Sequence, residues 1–243
     1  MLKGYIDEVF VSIQGEGVLV GTPMLFIRFG GCEAGCEHCD TPRARTQMSQ
    51  FTVHGVRNDV MANPVKVADL ASVAMPLLRT VPYLAVTGGE PLEQPGFLSL
   101  LLTQLSTSGK KVLLESRSYH VQELKDIIPR VDIIAADIKL QSFTGGPSIS
   151  PDRTAEFLRA AAQKYCYVKV VVGPDTAEAE VFDAARLVAS VRPEIPFIIQ
   201  PRSDNGPIAP DEARRLAALA VRLTSVLADV RFVPQVHRLL GLR

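Results

Sequence analysis

Residues 31–41 read Gly31-Cys32-Glu33-Ala34-Gly35-Cys36-Glu37-His38-Cys39-Asp40-Thr41 and contain three of the chain's four cysteines. The spacing is Cys-x3-Cys-x2-Cys, and thiolates this close together in one segment repel each other unless a metal centre binds them. Iron–sulfur clusters and zinc ions are the usual metal centres with cysteine ligands. Three ligands in one loop, with no fourth cysteine nearby, predict a four-iron cluster whose remaining iron is open to a small molecule.

The composition indicates one globular domain spanning residues 1–243. Apolar residues make up 47% of the chain and charged residues 21%, which suits a sizeable core. The formal net charge is zero, so we expect neither a nucleic-acid partner nor a membrane-surface partner. The N-terminal residues are too polar for a signal peptide, and no apolar run reaches the roughly 18 residues of a membrane span. Few, clustered cysteines favour the reducing cytoplasm.

Strand and helix signals alternate along most of the chain. We predict strands at residues 5–12, 23–29, 83–87, 111–115, 132–137, 167–172, 197–200 and 230–233, and helices at 96–107, 119–128, 151–164, 177–191 and 210–227. Residues 42–63 are predicted as an irregular segment. A further helix should follow, with Asn63 as N-cap, Pro64 in its first turn and Pro76 ending or kinking it. Repeated βα units imply a parallel sheet, either open and doubly wound or closed into a full or partial barrel.

Polar residues stand at the predicted carboxyl ends of several strands. They are Thr87, Gly88, Gly89, Glu90, Glu115, Asp137, Lys139, Gly173 and Gln200. The cysteine loop also follows the end of its strand. Because parallel α/β folds build their sites at this edge of the sheet, we expect these groups to converge on one cavity.

The strand at residues 23–29 contains one charged side chain, Arg28. Side chains alternate between faces, so Met24, Phe26 and Arg28 share one side and residues 25, 27 and 29 the other. Both sides are apolar, and a buried cation is costly unless it is paired. Arg28 either forms an internal salt bridge or anchors a substrate carboxylate or phosphate, and its place beside the cysteine loop favours the anchor.

Two glycine-containing segments are candidates for close contact with a ligand. Residues 13–17, Ile13-Gln14-Gly15-Glu16-Gly17, form either a ligand loop or an ordinary turn. Residues 88–91, Gly-Gly-Glu-Pro, could accept hydrogen bonds from an ammonium group through a backbone carbonyl and Glu90. Glu115, Asp137 and Lys139 could hold a ribose or substrate, or form an ion-pair network at the rim.

A structural zinc site is the alternative reading of the cysteines, with His38, Cys166 or His237 as fourth ligand. His38 is adjacent to one cysteine and two residues from another, which is an awkward reach for a tetrahedron. Cys166 stands alone in an apolar strand and is most simply a small buried hydrophobic residue.

The cysteine loop followed by the Gly-Gly-Glu-Pro turn resembles the radical S-adenosylmethionine (SAM) enzymes. Four further segments narrow the resemblance to the 7-carboxy-7-deazaguanine synthase family. They are Ser12-Ile13-Gln14-Gly15-Glu16-Gly17, Cys39-Asp40-Thr41, Asp137-Ile138-Lys139 and the tail that begins at about residue 234, Pro234-Gln235-Val236-His237-Arg238. This resemblance implies a partial or modified (β/α) barrel with parallel strands. It also implies a lyase that converts 6-carboxy-5,6,7,8-tetrahydropterin to 7-carboxy-7-deazaguanine with loss of ammonia, in queuosine-type biosynthesis.

The resemblance also implies roles for individual residues. Cys32, Cys36 and Cys39 would bind the 4Fe-4S cluster, and Thr41 would bind Mg2+. SAM would contact His38, Cys39, Asp40, Gly89, Glu90, Glu115, Asp137, Lys139 and Gln200. The pterin would contact Ile13, Gln14, Gly15, Glu16, Arg28 and Thr87. The implied partners are a second copy of the chain and a reductant such as a flavodoxin or ferredoxin.

This chain departs from the family pattern at several positions. His38 replaces the usual aromatic residue, Glu115-Ser116-Arg117-Ser118 replaces Glu-Thr-x-Gly, Arg238 replaces lysine, and Leu242-Arg243 has no clear match. Another radical SAM enzyme, such as a glycyl-radical activase, is an alternative, and so is a zinc-stabilised binding module without catalysis.

Overall fold

A computed structural model describes residues 2–145, 150–202 and 208–243. Within these ranges the chain forms twelve strands and eight α-helices. The strands are β1 (Lys3–Gly4), β2 (Ile6–Ile13), β3 (Pro23–Phe29), β4 (Gln50–Val53), β5 (Asp59–Ala62), β6 (Val65–Lys66), β7 (Tyr83–Gly88), β8 (Lys111–Arg117), β9 (Ile133–Asp137), β10 (Tyr165–Val172), β11 (Phe197–Pro201) and β12 (Val230–Phe232). The helices are α1 (Val67–Leu78), α2 (Pro95–Leu105), α3 (Val121–Ile127), α4 (Gln141–Thr144), α5 (Pro151–Ala161), α6 (Glu178–Val191), α7 (Pro210–Leu223) and α8 (Val236–Leu239).

Ten of these strands form one sheet in the order β12-β11-β10-β9-β8-β7-β3-β2-β4-β5. The seven strands from β12 to β3 in this order are parallel to their neighbours. Strand β2 runs antiparallel to β3 and adds the hairpin β4–β5 at its other side. Because β12 and β5 lie at opposite ends of this order, the sheet is open, and the predicted mostly parallel, partial-barrel fold is confirmed.

The helices cover only one face of the sheet. The larger apolar cluster joins helix residues to Leu25, Ile27 and Phe29 of β3. Met24 and Phe26 point to the other face, where a smaller cluster contains no residue from an α-helix of the described ranges. The predicted two-sided burial of β3 is confirmed. The face without helices is left free to form a cavity.

The start of α1 was predicted wrongly, because the helix begins at Val67 rather than after Asn63. Of the two predicted effects of Pro76, ending the helix is wrong, because the helix continues to Leu78. Asn63 is engaged elsewhere, because its side chain accepts a hydrogen bond from the Ile6 N–H (3.2 Å) and donates one to the Ile6 carbonyl (2.6 Å). Pro76 removes one helical hydrogen bond near the end, and the burial of Leu78 beyond it offsets that loss.

The other predicted elements occur, β3 with the predicted bounds and most of the others with shifted ends. The segment at 42–63 contains the hairpin β4–β5, and the last long helix ends at Leu223 rather than at residue 227. In the part of the chain that the structure describes, we find no helix with the length and hydropathy that crossing a bilayer requires.

Candidate active site

The carboxyl ends of the parallel strands surround a cavity of about 740 Å³. All residues that the sequence analysis assigns to a cofactor, metal or substrate line it. They are Ile13, Gln14, Gly15, Glu16, Arg28, Cys32, Cys36, His38, Cys39, Asp40, Thr41, Thr87, Gly89, Glu90, Glu115, Asp137, Lys139 and Gln200. Gly173 is not among the described lining residues. The predicted convergence is confirmed except at Gly173, whereas the ligand of each residue stays a prediction.

The cysteine loop is held in place by its neighbours. The Cys32 N–H donates to the Arg45 carbonyl (3.2 Å), and the Glu33 N–H donates to Oε1 of Glu93 (3.0 Å). Glu93 lies just past the Gly-Gly-Glu-Pro turn, so the two motifs of the sequence are directly connected in the fold. This connection explains why they occur together at one edge of the sheet.

The three loop cysteines are free thiols that line the cavity. Burial raises the pKa of the Cys32 and Cys36 thiols, so a positively charged metal centre is needed to keep them as thiolates. No set of three or more His, Cys, Asp or Glu side chains among the described residues converges on one metal ion. Three cysteines in one loop fit a four-iron cluster, in which each cysteine binds a different iron and one iron is left for a small molecule.

The glycines of the turn are required by backbone packing. A Cβ atom on Gly89 would lie 2.0 Å from the Gly31 carbonyl oxygen and 2.6 Å from that of Ala44. Gly88 has a φ of +118°, which L side chains rarely adopt. We predicted that these glycines let a ligand approach closely. In the structure Gly89 packs against Gly31 of the cysteine loop, and Gly88 packs against Arg28 and Phe29 of β3.

Glu90 is buried and fully engaged within the protein. Its carboxylate accepts hydrogen bonds from the Leu92 N–H (3.0 Å), the Ser116 hydroxyl (2.8 Å) and the Arg117 N–H (3.0 Å). Burial raises the pKa of this carboxyl. Glu90 therefore connects the turn after β7 to the end of β8, and it has little capacity left for the ammonium group that we predicted as its partner.

Lys169 lies at the centre of the charged wall of the cavity. Its Nζ is 2.5 Å from Oε2 of Glu16 and 3.4 Å from Oδ2 of Asp137, and Lys139 is 2.8 Å from the same Asp137 oxygen. Burial alone would lower the pKa of Lys169, but the charges of Glu16, Asp137 and Glu115 raise it well above its ordinary value. The network keeps Lys169 as a cation.

Gln14, Thr87 and Glu115 form a second polar group in the cavity. The Gln14 amide donates to Oε1 of Glu115 (2.7 Å), and the Thr87 hydroxyl donates to Oε2 (2.9 Å). Burial and the nearby charge of Glu16 raise the pKa of the Glu115 carboxyl. A carboxyl group in this environment can act as acceptor or, when protonated, as donor toward a heterocyclic ligand.

The C-terminal tail joins the two loops that flank the cavity. The Gln235 amide donates to both Oε1 of Glu16 (2.6 Å) and Oδ2 of Asp40 (2.9 Å). The ring of His237 packs on Gly15, where a Cβ atom would lie 2.0 Å from Nδ1. The tail therefore forms one wall of the site. Burial opposes the ionisation of Asp40, but the charges of Lys169 and Lys139 lower its pKa to about 2, so Gln235 binds a carboxylate.

Arg28 makes the salt bridge that was one of its two predicted roles. Its Nε lies 3.0 Å from Oε1 of Glu8, which stands directly opposite it on β2. The Arg28 side chain also lines the cavity, so pairing with Glu8 leaves its role as a substrate anchor open as a prediction.

Comparison with known proteins shows which family this site belongs to. No protein-family model matches the chain. A 7-carboxy-7-deazaguanine synthase from Geobacter sulfurreducens is 37% identical over 247 residues, which span 97% of this chain and 96% of the relative. The chain belongs to the 7-carboxy-7-deazaguanine synthase family. A second member, from Methanopyrus kandleri, is 34% identical and covers 96% of this chain and 92% of its own length.

Solved structures share the fold. QueE from Escherichia coli superposes with a TM-score of 0.67 at 21% identity, over 97% of this chain and 95% of that one. Streptococcus suis SuiB bound to S-adenosylmethionine superposes with a TM-score of 0.58 at 14% identity, over 86% of this chain and 51% of that one. At these identities the likeness shows the shared fold alone.

His38 replaces the aromatic residue that we expect in a 7-carboxy-7-deazaguanine synthase. Its ring meets Phe143 edge-on, with 6.2 Å between the ring centroids, and its Nε2 lies 3.6 Å from Oδ2 of Asp175. His38 therefore sits between an aromatic ring and a carboxylate at the cavity wall. Thr41 lies nearby, and its hydroxyl donates to Oδ1 of Asp40 (3.0 Å).

Two buried acceptors of this family member face the cavity without a protein partner. Asp137 Oδ1 and Gln200 Oε1 accept no hydrogen bond from any described residue. Buried polar atoms are nearly always satisfied, so unpartnered acceptors at a cavity wall are expected to bind a ligand. SAM has ammonium and ribose hydroxyl donors, which fit these two atoms.

Sequence reasoning missed several residues of this synthase cavity, chiefly Lys169, Tyr167, Gln235 and Arg243. Lys169 could have been found, because it is the only charged residue in the apolar strand Tyr165–Val172. The same signal identified Arg28. Gln235 and Arg243 follow the last strand, and no local pattern predicts that they contact Glu16 and Glu8 near the N-terminus.

Proposed function

We propose that this chain is a radical SAM lyase that converts 6-carboxy-5,6,7,8-tetrahydropterin to 7-carboxy-7-deazaguanine with release of ammonia. Membership of the 7-carboxy-7-deazaguanine synthase family over nearly the whole chain is the observation that supports this most strongly. The cavity agrees with it, because the three-cysteine loop and the predicted substrate residues face the same space.

Cys32, Cys36 and Cys39 would hold the cluster, with SAM at the iron that lacks a cysteine. With the cluster reduced and SAM bound, this site would supply a 5′-deoxyadenosyl radical for hydrogen abstraction from the substrate. The protein's part is to orient SAM and to exclude water. We assign Asp137 and Gln200 to SAM through their unpartnered oxygens, and Glu90 to joining the glycine turn to the end of β8.

The pterin would lie between the Gln14–Thr87–Glu115 group and Arg28. A pterin ring presents both donors and acceptors at its pyrimidine edge, and Glu115 with its raised pKa can match either. Arg28 would bind the substrate carboxylate, since a guanidinium group matches a carboxylate in geometry and charge. Glu16, held by Lys169, completes the wall on that side.

Arg28→Ala should weaken pterin binding about 10- to 100-fold, because a charge-assisted hydrogen-bonded pair is lost. The release of 5′-deoxyadenosine without pterin should stay near the wild-type rate, since we assign Arg28 to the pterin carboxylate and not to SAM. Arg28→Lys keeps the charge but loses the planar arrangement of N–H donors. Its affinity for the pterin should therefore lie between those of the wild type and Arg28→Ala. Steady-state KM and uncoupled SAM cleavage are the measurements, and equal losses in both would make Arg28 structural.

We also propose that Thr41 binds Mg2+ beside Asp40, with substrate and water as the other ligands, because Mg2+ usually keeps several waters. Thr41→Ala should raise the Mg2+ concentration for half-maximal turnover about tenfold. Thr41→Ser keeps the hydroxyl and should behave like the wild type. A Mg2+ titration that is the same for all three proteins would remove Thr41 from the metal site.

The same family resemblance leads us to propose a cytoplasmic homodimer that is reduced by a flavodoxin or a ferredoxin. Anaerobic incubation with the carboxylated tetrahydropterin, SAM and a reductant tests the function, with the product identified by mass spectrometry. We expect 7-carboxy-7-deazaguanine and ammonia. Cleavage of SAM with unchanged pterin would instead favour another radical SAM activity, such as that of a glycyl-radical activase.

A further inference from the structure

Glu8 lies next to the cavity without lining it, and its carboxylate binds Nε of Arg28. The two residues are direct partners in the β2–β3 register, and Oε1 of Glu8 is 3.0 Å from Nε of Arg28. Glu8 does not itself line the cavity, whereas Arg28 does. Both side chains are largely buried, with 16% and 19% of their surface exposed, so the contact is shielded from solvent.

A second arginine reaches the same carboxylate from the tail. Nη1 of Arg243 lies 2.9 Å from Oε2 of Glu8, and the Arg243 carbonyl accepts a hydrogen bond from the Ser12 hydroxyl (3.0 Å). Nε2 of His54 also contacts Oε2, at 3.2 Å. The side chain of Arg243 lines the cavity, but that of His54 does not. Glu8 therefore contacts the guanidinium groups of two arginines, and both of these residues line the cavity.

The contact with Glu8 uses Nε of Arg28 and leaves its two Nη atoms available for a ligand. Nε is the only guanidinium nitrogen of Arg28 for which the described residues provide an acceptor. A carboxylate pairs best with a guanidinium group through two parallel N–H bonds, and the Nη atoms remain for that purpose. Two arginines and one glutamate leave a single positive charge, which one ligand carboxylate neutralises.

We propose that Glu8 is a positioning residue that orients Arg28 and brings Arg243 beside it, so that the two guanidinium groups form one carboxylate subsite. This inference rests on the proposed function, in which the ligand is a carboxylated pterin. Glu8 and Arg243 would make the site bind a carboxylated pterin more tightly than an uncarboxylated one. A cation that is fixed from behind loses little conformational freedom when the ligand binds, which favours both affinity and selectivity.

Equilibrium binding of the carboxylated tetrahydropterin and of its uncarboxylated counterpart tests the proposal. Glu8→Ala should weaken binding of the carboxylated ligand about 10- to 100-fold and leave the uncarboxylated ligand within about twofold. Glu8→Gln retains an oxygen for Arg28 Nε but turns a donor toward Arg243. This isosteric variant should therefore match Arg243→Ala, at about a fivefold loss, and it serves if Glu8→Ala does not fold.

Adding Arg243→Ala to Glu8→Ala should cause no further loss, because Arg243 acts through Glu8. Glu156→Gln, in an exposed ion pair with Lys125, is the control and should change neither affinity. Equal losses for both pterins would show that Glu8 only stabilises the fold, and additive losses would separate Arg243 from Glu8. Either result overturns the proposal alone. A wild-type protein that binds no carboxylated pterin overturns the proposed function together with it.

Discussion

Cys32→Ala, Cys36→Ala and Cys39→Ala should each abolish SAM cleavage, with a loss of at least about 1,000-fold in rate. Each removes one of the three cysteines of the loop, and the fourth cysteine of the chain, Cys166, lies in β10. The measurements are iron and sulfide content after anaerobic reconstitution, and the release of 5′-deoxyadenosine after reduction. Iron content should fall together with activity.

Cys166→Ala is the matched control for these variants. Cys166 is buried in β10, far along the chain from the loop, and burial raises the pKa of its thiol to about 12. A thiol that remains protonated is a poor metal ligand, so this variant should keep its iron and its cleavage rate. Loss of iron in Cys166→Ala, with iron retained in a loop variant, would contradict the assignment of the cluster ligands.

Lys169→Met should destabilise the protein by about 3–5 kcal/mol, because removing one partner of a buried ion pair leaves the other charge uncompensated. Glu16 and Asp137 both contact the Lys169 ammonium, and all three side chains are at most 14% exposed. Urea unfolding measures the change in free energy. Lys125→Met breaks an exposed pair with Glu156 and should cost about 0–1 kcal/mol.

The loss caused by Lys169→Met should depend on pH. In the wild type the charges of Lys169 and Lys139 lower the pKa of Asp40 from 3.8 to about 2, although burial opposes this. This contribution to stability is present above pH 3.8 and is lost as the pH falls toward about 2. Without Lys169, burial would raise the pKa of Glu16, so the variant loses stability as the pH rises. The difference between the two proteins should therefore be largest near neutral pH and shrink in acid, and a constant difference would contradict this.

The fold could be predicted largely from local patterns. The alternation in β3 placed Met24 and Phe26 on one face and the intervening residues on the other, which the two apolar clusters confirm. The start of α1 could not be predicted in this way. Asn63 has the chemistry of an N-cap, but its amide binds the backbone of Ile6, which is 57 residues away in sequence. Tertiary contacts of this kind override a local preference.

The location of the site could be predicted from the sequence, but the contacts of its individual residues could not. Strand ends converge for topological reasons, so residues such as Thr87 and Glu115 could be located without knowing their partners. The partners of Glu90 lie on the next strand, at Ser116 and Arg117, and no spacing reveals that its carboxylate is already engaged. The roles of Gln235 and Arg243 depend on the tail returning to β2 and the loop after it, which only the three-dimensional structure shows.

We propose that the three-cysteine loop holds a cluster that binds and cleaves SAM. The most direct test is to reconstitute the protein without oxygen, reduce it, add SAM alone and measure 5′-deoxyadenosine and methionine. We expect both to form in amounts that follow the iron content of the sample. A protein that is fully loaded with iron and sulfide, is reduced, and yet forms no 5′-deoxyadenosine would contradict it.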